Sequence, residues 1–420
     1  MSIVISRKDE GRPPDYGWWI VAVAFLAIVF AFGVPTVILP VLYSSIIDEF
    51  GWTRTQVTLV ATMKVGAGAA WGIVLGFLID RVSIRTIVVS SSVITGGAMI
   101  AFLGIRTLWL FYAIGLVLGL GSLGVMISMK VLVSRWFERR QGVAVGIALL
   151  GTSVAGSFAP VLASRLIDLA GWRFSMALLS LGIWLVALPV FVWKAKDAPV
   201  SAAATDTTPF RLILLGPTFW WVALAVVLIG FVDQAMTQHT VLYLERDLGL
   251  RRSAASSALS FVFFTSIAGK LGFGWIYDRW SLRGVSACYF LMALSVVFMF
   301  SIQSAVSLLV FAAVRGLAHG GAIVDIPVLS RHCFGPRVLG RTIGILTAFV
   351  TIGFATGPPI MGYLYDVHGS YRIAFFVLVA ASIAAGLSLF AARATYRDER
   401  LRLSADTVEG RLTEAASEKA

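Results

Sequence analysis

The sequence predicts an all-α membrane protein with twelve transmembrane helices in two six-helix bundles. Three observations carry that prediction. The 420 residues are 58% hydrophobic and only 13% charged, with a mean hydropathy of +0.88; soluble domains hold about 25% charged residues. The apolar residues fall into twelve runs, and about 20 helical residues cross a hydrocarbon core about 30 Å thick. The third is an internal repeat at an offset of 198 residues. A water-soluble enzyme is excluded by the composition. A transmembrane β-barrel is excluded because alternating strands of about ten residues are absent.

The spans, in order, are 17–43, 55–78, 86–105, 107–133, 142–165 and 174–194, then 217–243, 253–276, 284–303, 305–330, 341–364 and 372–392. The first follows charges at Arg7, Lys8 and Arg12. It runs for over twenty residues from Trp18 without a small-residue cleavage site, so it reads as a retained span and not a signal peptide. Residues 195–216 hold Lys196, Asp197, Pro199, an Ala/Ser/Thr run and Pro209, the composition of a linker. The expected organisation is a tail at 1–16, a bundle at 17–194, a linker at 195–216, a second bundle at 217–392 and a tail at 393–420.

An even number of spans puts both termini on one side. With the N-terminus inside, 22 of the 34 Lys and Arg residues fall in cytoplasmic segments and 8 outside. The positive-inside rule therefore places both termini in the cytoplasm. The net charge of +12 has the same origin. It sits in short loops and not on a soluble basic face, so nucleic acid is not an expected partner. Cys288 and Cys333 form neither a disulfide framework nor a metal-ligand spacing. No metal or cofactor is expected.

The repeat is strongest where Gly76-Phe-Leu-Ile-Asp80-Arg81-Val-Ser83-Ile-Arg85 recurs as Gly274-Trp-Ile-Tyr-Asp278-Arg279-Trp-Ser281-Leu-Arg283. The same offset relates Gly51 to Gly249, Gly142 to Gly340, Gly146 to Gly344, Pro160 to Pro358 and Asp168 to Asp366. Two parallel repeats with a site at their interface is a recurring transporter plan. The repeated segment resembles the signature of the major facilitator superfamily, Gly-x-x-x-Asp-Arg/Lys-x-Gly-x-Arg/Lys. Gly76, Asp80, Arg81 and Arg85 match, as do Gly274, Asp278, Arg279 and Arg283; Ser83 and Ser281 stand where the second glycine would be. The resemblance implies the two-bundle fold of that superfamily. It also implies a conformational switch in these two loops, whose ion pairs hold one conformation and break in another. The glycine is expected to let helices approach closely.

A narrower resemblance is to the monocarboxylate transporters and oxalate/formate exchangers. It rests on Trp136-Phe137-Glu138-Arg139-Arg140, with the spacing Ala144, Gly146, Ala148, Gly151, and on Asp15-Tyr16-Gly17-Trp18-Trp19 at the first helix. Glycine–alanine packing and interfacial aromatics account for the same residues without any common function. The resemblance implies transport by alternating access and a substrate-binding base at Lys270, four residues before Gly274.

Ionisable groups inside a membrane are expensive and point to function. The spans hold Lys64, Lys130, Asp233, Lys270, Arg315, His319 and Asp325, with His239 near the outer end of the seventh. All fall on helices two, four, seven, eight and ten. Helices three, six, nine and twelve carry none, and the resemblance makes those four peripheral. At 1.5 Å per residue, Lys270 lies roughly 12 Å, and Lys64 roughly 24 Å, inside the cytoplasmic boundary. Lys64, Asp233 and Arg315 share one level.

Lys64, Lys270 and Arg315 against Asp233 leave a formal charge of +2, which attracts an anion and disfavours a cation. Arg315 can clamp a carboxylate with two parallel hydrogen bonds. The structural alternatives stay open: Lys270 snorkelling toward the cytoplasm, Lys64 paired with an acid, and Arg315 locked to Asp233. Asp233 and His319 are the candidates for proton coupling, His319 lying four residues after Arg315 on one helix face. Lys130 and Asp325, near the cytoplasmic ends of helices four and ten, are candidate gate residues.

Three departures bear on the substrate. The first helix lacks the lysine of the monocarboxylate transporters, and Ser266 replaces their aspartate one turn before the base of helix eight. Span 341–364 has no charge beyond Arg341, where the oxalate exchangers carry a lysine. A singly charged small organic anion, a monocarboxylate, is therefore expected, moved with protons or by exchange, with Lys64 as a substitute base. A monomer in the lipid bilayer of a bacterial inner (plasma) membrane is expected to suffice. A proton-driven exporter of apolar or cationic compounds would call for an acidic cavity. A membrane sensor would call for more soluble chain than the 28 residues after Ala392.

Overall fold

The computed structural model describes residues 16–79, 81–137, 141–194, 214, 216–335 and 338–417, with side chains through residue 396 apart from that of residue 141. The helices are α1 Tyr16–Phe50, α2 Arg54–Leu78, α3 Ile84–Gly104, α4 Leu108–Trp136, α5 (141–170), α6 (172–194), α7 Pro217–Arg246, α8 Arg252–Trp280, α9 Leu282–Met299, α10 Ala305–Ile323 with its continuation Asp325–Phe334, α11 Leu339–His368 and α12 Arg372–Ser417. Eleven helical stretches are long and apolar enough to cross a membrane. One of them, Gly142–Lys194, is two spans joined at Gly171 (φ 78°), which makes twelve.

The breaks follow from missing backbone donors. In α1 the ladder widens to a π-helix at Ile28–Gly33 just before Pro35, and Pro40 follows; proline cannot donate to the carbonyl four residues back. In α6 the π-helical turn Ile183–Ala187 precedes Pro189. In α11, Pro359 leaves the Ala355 carbonyl without its helical donor, and Thr62 Oγ1 donates to it at 2.5 Å. The buried carbonyl is thus satisfied from another helix.

The chain divides into two compact units: Met1–Gly51 with Met63–Ala203, and Trp52–Thr62 with Ala204–Ala420. The first two turns of α2 therefore belong with the second unit. In the first unit α3 packs on α4, and α1 packs on α4 and α5. In the second, the pairs are α7 with α11, α8 with α10 and α9 with α12. Small residues set these distances, as lipid-embedded helices gain little hydrophobic drive from one another. A Cβ on Gly353 would stand 2.1 Å from the Val227 carbonyl oxygen, and one on Gly320 would stand 2.3 Å from that of Ser266. The expected close approach at Gly76 and Gly274 is not seen: nothing lies within 4 Å of a Cβ built on either. Gly76 faces outward from its helix, so the tight contacts fall on other glycines.

The repeat reappears in the backbone. Gly51 and Gly249 both have φ 67°, and Gly171 (φ 78°) corresponds to Gly369 (φ 67°). These are left-handed turns that favour glycine. Two features differ from the sequence reading. The tenth span breaks at Val324, and the last helix runs on to Ser417. That tail is charged but rich in Ala, Glu, Leu and Arg, which favour helix.

Candidate functional site

The second unit gathers three of the expected residues around one carboxylate. Asp233 (α7), Arg315 and His319 (both α10) are 5%, 2% and 7% exposed. Asp233 Oδ1 accepts from Arg315 Nη2 at 2.8 Å and from His319 Nδ1 at 2.7 Å. The same Nη2 reaches the Asp233 carbonyl at 2.9 Å and Thr237 Oγ1 at 3.2 Å. The Thr237 hydroxyl donates to that carbonyl at 2.8 Å. The His319 ring stands edge-on to Phe263, 5.1 Å between centroids. Arg315 Nη1 is buried with no hydrogen-bond partner among the described residues. Helical spacing puts Arg315 and His319 one turn apart on the face toward α7, and Gly230, Gly353 and Gly357 hold α7 against α11.

Lys270 is 8% exposed on α8. It lies where α8 and α10 meet backbone to backbone: a Cβ on Gly320 would stand 2.6 Å from the Lys270 amide nitrogen. The Asp325 carboxyl, 1% exposed at the start of the α10 continuation, accepts from Tyr289 Oη at 2.6 Å. Within its unit Asp325 is therefore held by a phenol of α9. Lys130, on α4 of the first unit, is exposed.

Lys64, on α2 in the first unit, is 4% exposed. Its ammonium donates a short hydrogen bond to Thr36 Oγ1 on α1, and lies 5.5 Å from the centroid of the Phe32 ring. No acid of the first unit is recorded beside it among the described residues.

Asp80 of the first repeated loop lies outside the described residues, as do Glu138, Arg139 and Arg140. Arg81 is exposed, and Arg85 Nη2 donates to the Val192 carbonyl at 2.7 Å. Asp278, Arg279 and Arg283 are exposed, and Gly274 is half-buried. The two serines of the repeat differ. Ser83 caps α3, accepting from the Thr86 amide at 3.1 Å, whereas Ser281 has φ 46°. The left-handed backbone at Ser281 explains why a glycine suits that place in the signature.

His239, singled out near the outer end of the seventh span, is fully buried, with Nδ1 on Tyr371 Oη and Nε2 on the Pro358 carbonyl, both at 2.8 Å. Sequence reasoning missed several groups around it. Next to Tyr371, at the start of α2, the Arg54 guanidinium lies 3.5 Å from the centroid of the Tyr365 ring and pairs with Asp247 at 2.5 Å. Asp366 accepts from the amides of Arg54 (3.1 Å) and Thr55 (2.9 Å) and from the Thr55 hydroxyl (2.5 Å). Only the pairing of Asp366 with Asp168 in the repeat hinted at a role. Thr36 and Tyr289 gave no signal, since hydroxyls are common in apolar helices.

Residues 23–284 and 240–416 match the model of the Major Facilitator Superfamily. The chain is 27% identical over 396 residues to monocarboxylate transporter 13 of Rattus norvegicus, covering 89% of each chain. It is 24% identical over 444 residues to monocarboxylate transporter 12 of the same species, covering 93% of this chain and 89% of the relative. Its fold matches the inward-facing, unoccupied crystal structure of a bacterial homologue of the human lysosomal transporter Spinster. There the TM-score is 0.72 at 18% identity, over 92% of this chain and 97% of that one.

Proposed function

The chain belongs to the Major Facilitator Superfamily, a multi-pass membrane transporter and not an enzyme, and from that premise we propose that it moves a small monocarboxylate. It works by alternating access across a plasma membrane, that of a bacterium, with both termini in the cytoplasm. The observation that carries this reading is the Lys64 ammonium, buried in the first unit on a neutral hydroxyl. A buried cation costs several kcal/mol unless a charge or a full set of hydrogen bonds compensates it, and a substrate carboxylate supplies both. Similarity to the monocarboxylate transporters over most of both chains agrees with that chemistry.

Lys270 and Arg315 are proposed as the substrate bases of the second unit. Asp233, shared by Arg315 and His319, is the proposed proton-coupling centre. Protonating the Asp233 carboxylate removes the charge that Arg315 and His319 share and loosens the bonds that hold Arg315, so proton and anion occupancy become linked. Ligand binding drives the cycle only through a difference in affinity between states. The two repeated loops, Gly76 to Arg85 and Gly274 to Arg283, are proposed as the conformational switch. Lys130 and Asp325 are proposed to serve the inner gate.

The test is uptake of labelled L-lactate by the purified protein in liposomes, with and without an inward proton gradient, followed by exchange against preloaded L-lactate. Uptake is expected to fall to background in Lys270→Ala and Arg315→Ala. Gradient stimulation is expected to vanish in Asp233→Asn and His319→Gln. Transport unaffected by Lys270→Ala and Arg315→Ala together would overturn the anion site.

A further inference from the structure

We propose that Thr36 is the positioning residue for the Lys64 ammonium, and that it thereby sets the affinity of the first unit for a substrate carboxylate; this rests on the reading of Lys64 as a substrate base.

Four observations lead there. First, the Thr36 hydroxyl has one proton, and that proton is committed. Oγ1 donates to the Phe32 carbonyl at 2.5 Å, one turn back in α1. Its lone pairs are thereby left to accept from Lys64 Nζ. Second, the partner is neutral. An ammonium has three donors; one goes to Thr36, and the charge is not cancelled. A carboxylate in the same place would fill the site that Thr36 leaves for the substrate. Third, the α1 backbone is built to present this hydroxyl. Thr36 follows the π-helical segment Ile28–Gly33 and Pro35, and precedes the bend at Ile38 and Pro40. π-helical turns of this kind recur at functional sites. Fourth, the lysine backbone is fixed from the other side. A Cβ on Gly119 of α4 would stand 2.0 Å from the Lys64 carbonyl oxygen. The backbones of α2 and α4 therefore touch at the very residue that carries the ammonium. With its backbone fixed by α4 and its tip held by α1, the side chain keeps one geometry in the absence of substrate, and preorganisation of this kind lowers the cost of binding.

The experiment is the concentration dependence of labelled L-lactate uptake in proteoliposomes, on five proteins besides the wild type. Thr36→Val keeps the shape and removes the acceptor. It is expected to raise KM about five- to tenfold, the worth of a typical net hydrogen bond, with kcat within twofold. Thr36→Ser restores the acceptor and is expected to return KM to within twofold of the wild type. Lys64→Met is expected to raise KM by more than Thr36→Val does, and adding Thr36→Val to Lys64→Met should change nothing further. A residue that merely fills space would move kcat and KM together, would not be rescued by serine and would add its effect to that of Lys64→Met. Thr36→Val with wild-type KM while Lys64→Met is impaired would overturn the role of Thr36 alone. Wild-type KM in Lys64→Met would overturn the underlying assignment of Lys64. Thr36→Asp supplies an independent arm: a carboxylate beside Nζ is expected to compete with lactate and raise KM at least tenfold, and unaltered KM there would sink the proposal.

Discussion

Hydrogen bonds to buried polar groups in this protein can be deleted one at a time and their loss read out. The Asp325 carboxyl is 1% exposed and takes a 2.6 Å bond from the Tyr289 phenol. Tyr289→Phe keeps the ring and deletes the donor. The expected cost is about 1–3 kcal/mol, the penalty for leaving a buried acceptor short of a partner, seen as a lower midpoint of thermal aggregation in detergent. Ser281 gives the opposite sign. Its φ of 46° is strained for a side chain, so Ser281→Gly is expected to stabilise by about 1 kcal/mol, while Ser83→Gly, at a cap with ordinary φ, should destabilise. An equal response at the two serines would contradict the difference in backbone. At this scale the sequence was readable where charge was rare. Asp233, Arg315 and His319 stand out because few ionisable groups enter the spans, and the i, i+4 spacing already puts two of them on one face. Thr36 and Tyr289 were not readable. Their partners are 28 and 36 residues away, and only the packing of separate helices makes those hydroxyls special.

Among the helices, proline and glycine decide both packing and capping. The start of α2 is held by Asp366 at the end of α11, which accepts from two consecutive amides and a hydroxyl. A carboxylate there satisfies donors that have no partner within the helix and sits at the positive end of the helix dipole. Asp366→Ala is expected to cost about 1 kcal/mol, the usual worth of an N-cap, and Thr55→Ala less. A thermal midpoint unchanged by Asp366→Ala would show that water replaces the cap. On α10, Gly320→Val would drive a side chain into the Ser266 carbonyl and the Lys270 amide. It should lower the yield of monodisperse protein and, in what survives, weaken uptake through the proposed substrate base Lys270. The element boundaries were legible because apolar runs end at charges: 55–78 reads as Arg54–Leu78, and 217–243 as Pro217–Arg246. The break at Val324 and the helix from Arg393 to Ser417 were not. The first has no proline or glycine at the break itself. The second lies in a tail whose charge reads as solvent exposure whether or not it is helical.

For the whole molecule, the distribution of basic residues predicts a direction in the membrane. Twelve spans put both ends on one side, and 22 of 34 Lys and Arg residues fall on the side assigned to the cytoplasm. In that assignment each long basic or polar connection, including 195–216 and the tail, is cytoplasmic, so reversing the orientation would carry most of the charge across the bilayer. The chain suits a labelling test because its two cysteines, Cys288 and Cys333, are both buried. Thr53 lies in the connection between α1 and α2, and Ser83 in that between α2 and α3; both are exposed. In intact cells a membrane-impermeant maleimide should label Thr53→Cys and leave Ser83→Cys untouched until the membrane is permeabilised. Labelling in the reverse order would invert the topology and put the repeated Asp-Arg loops outside. Labelling of both in intact cells would break the rule that each apolar run crosses once. The expected order would place the proposed conformational switch in the cytoplasm, the side on which the proposed inward symport would release a proton and its anion.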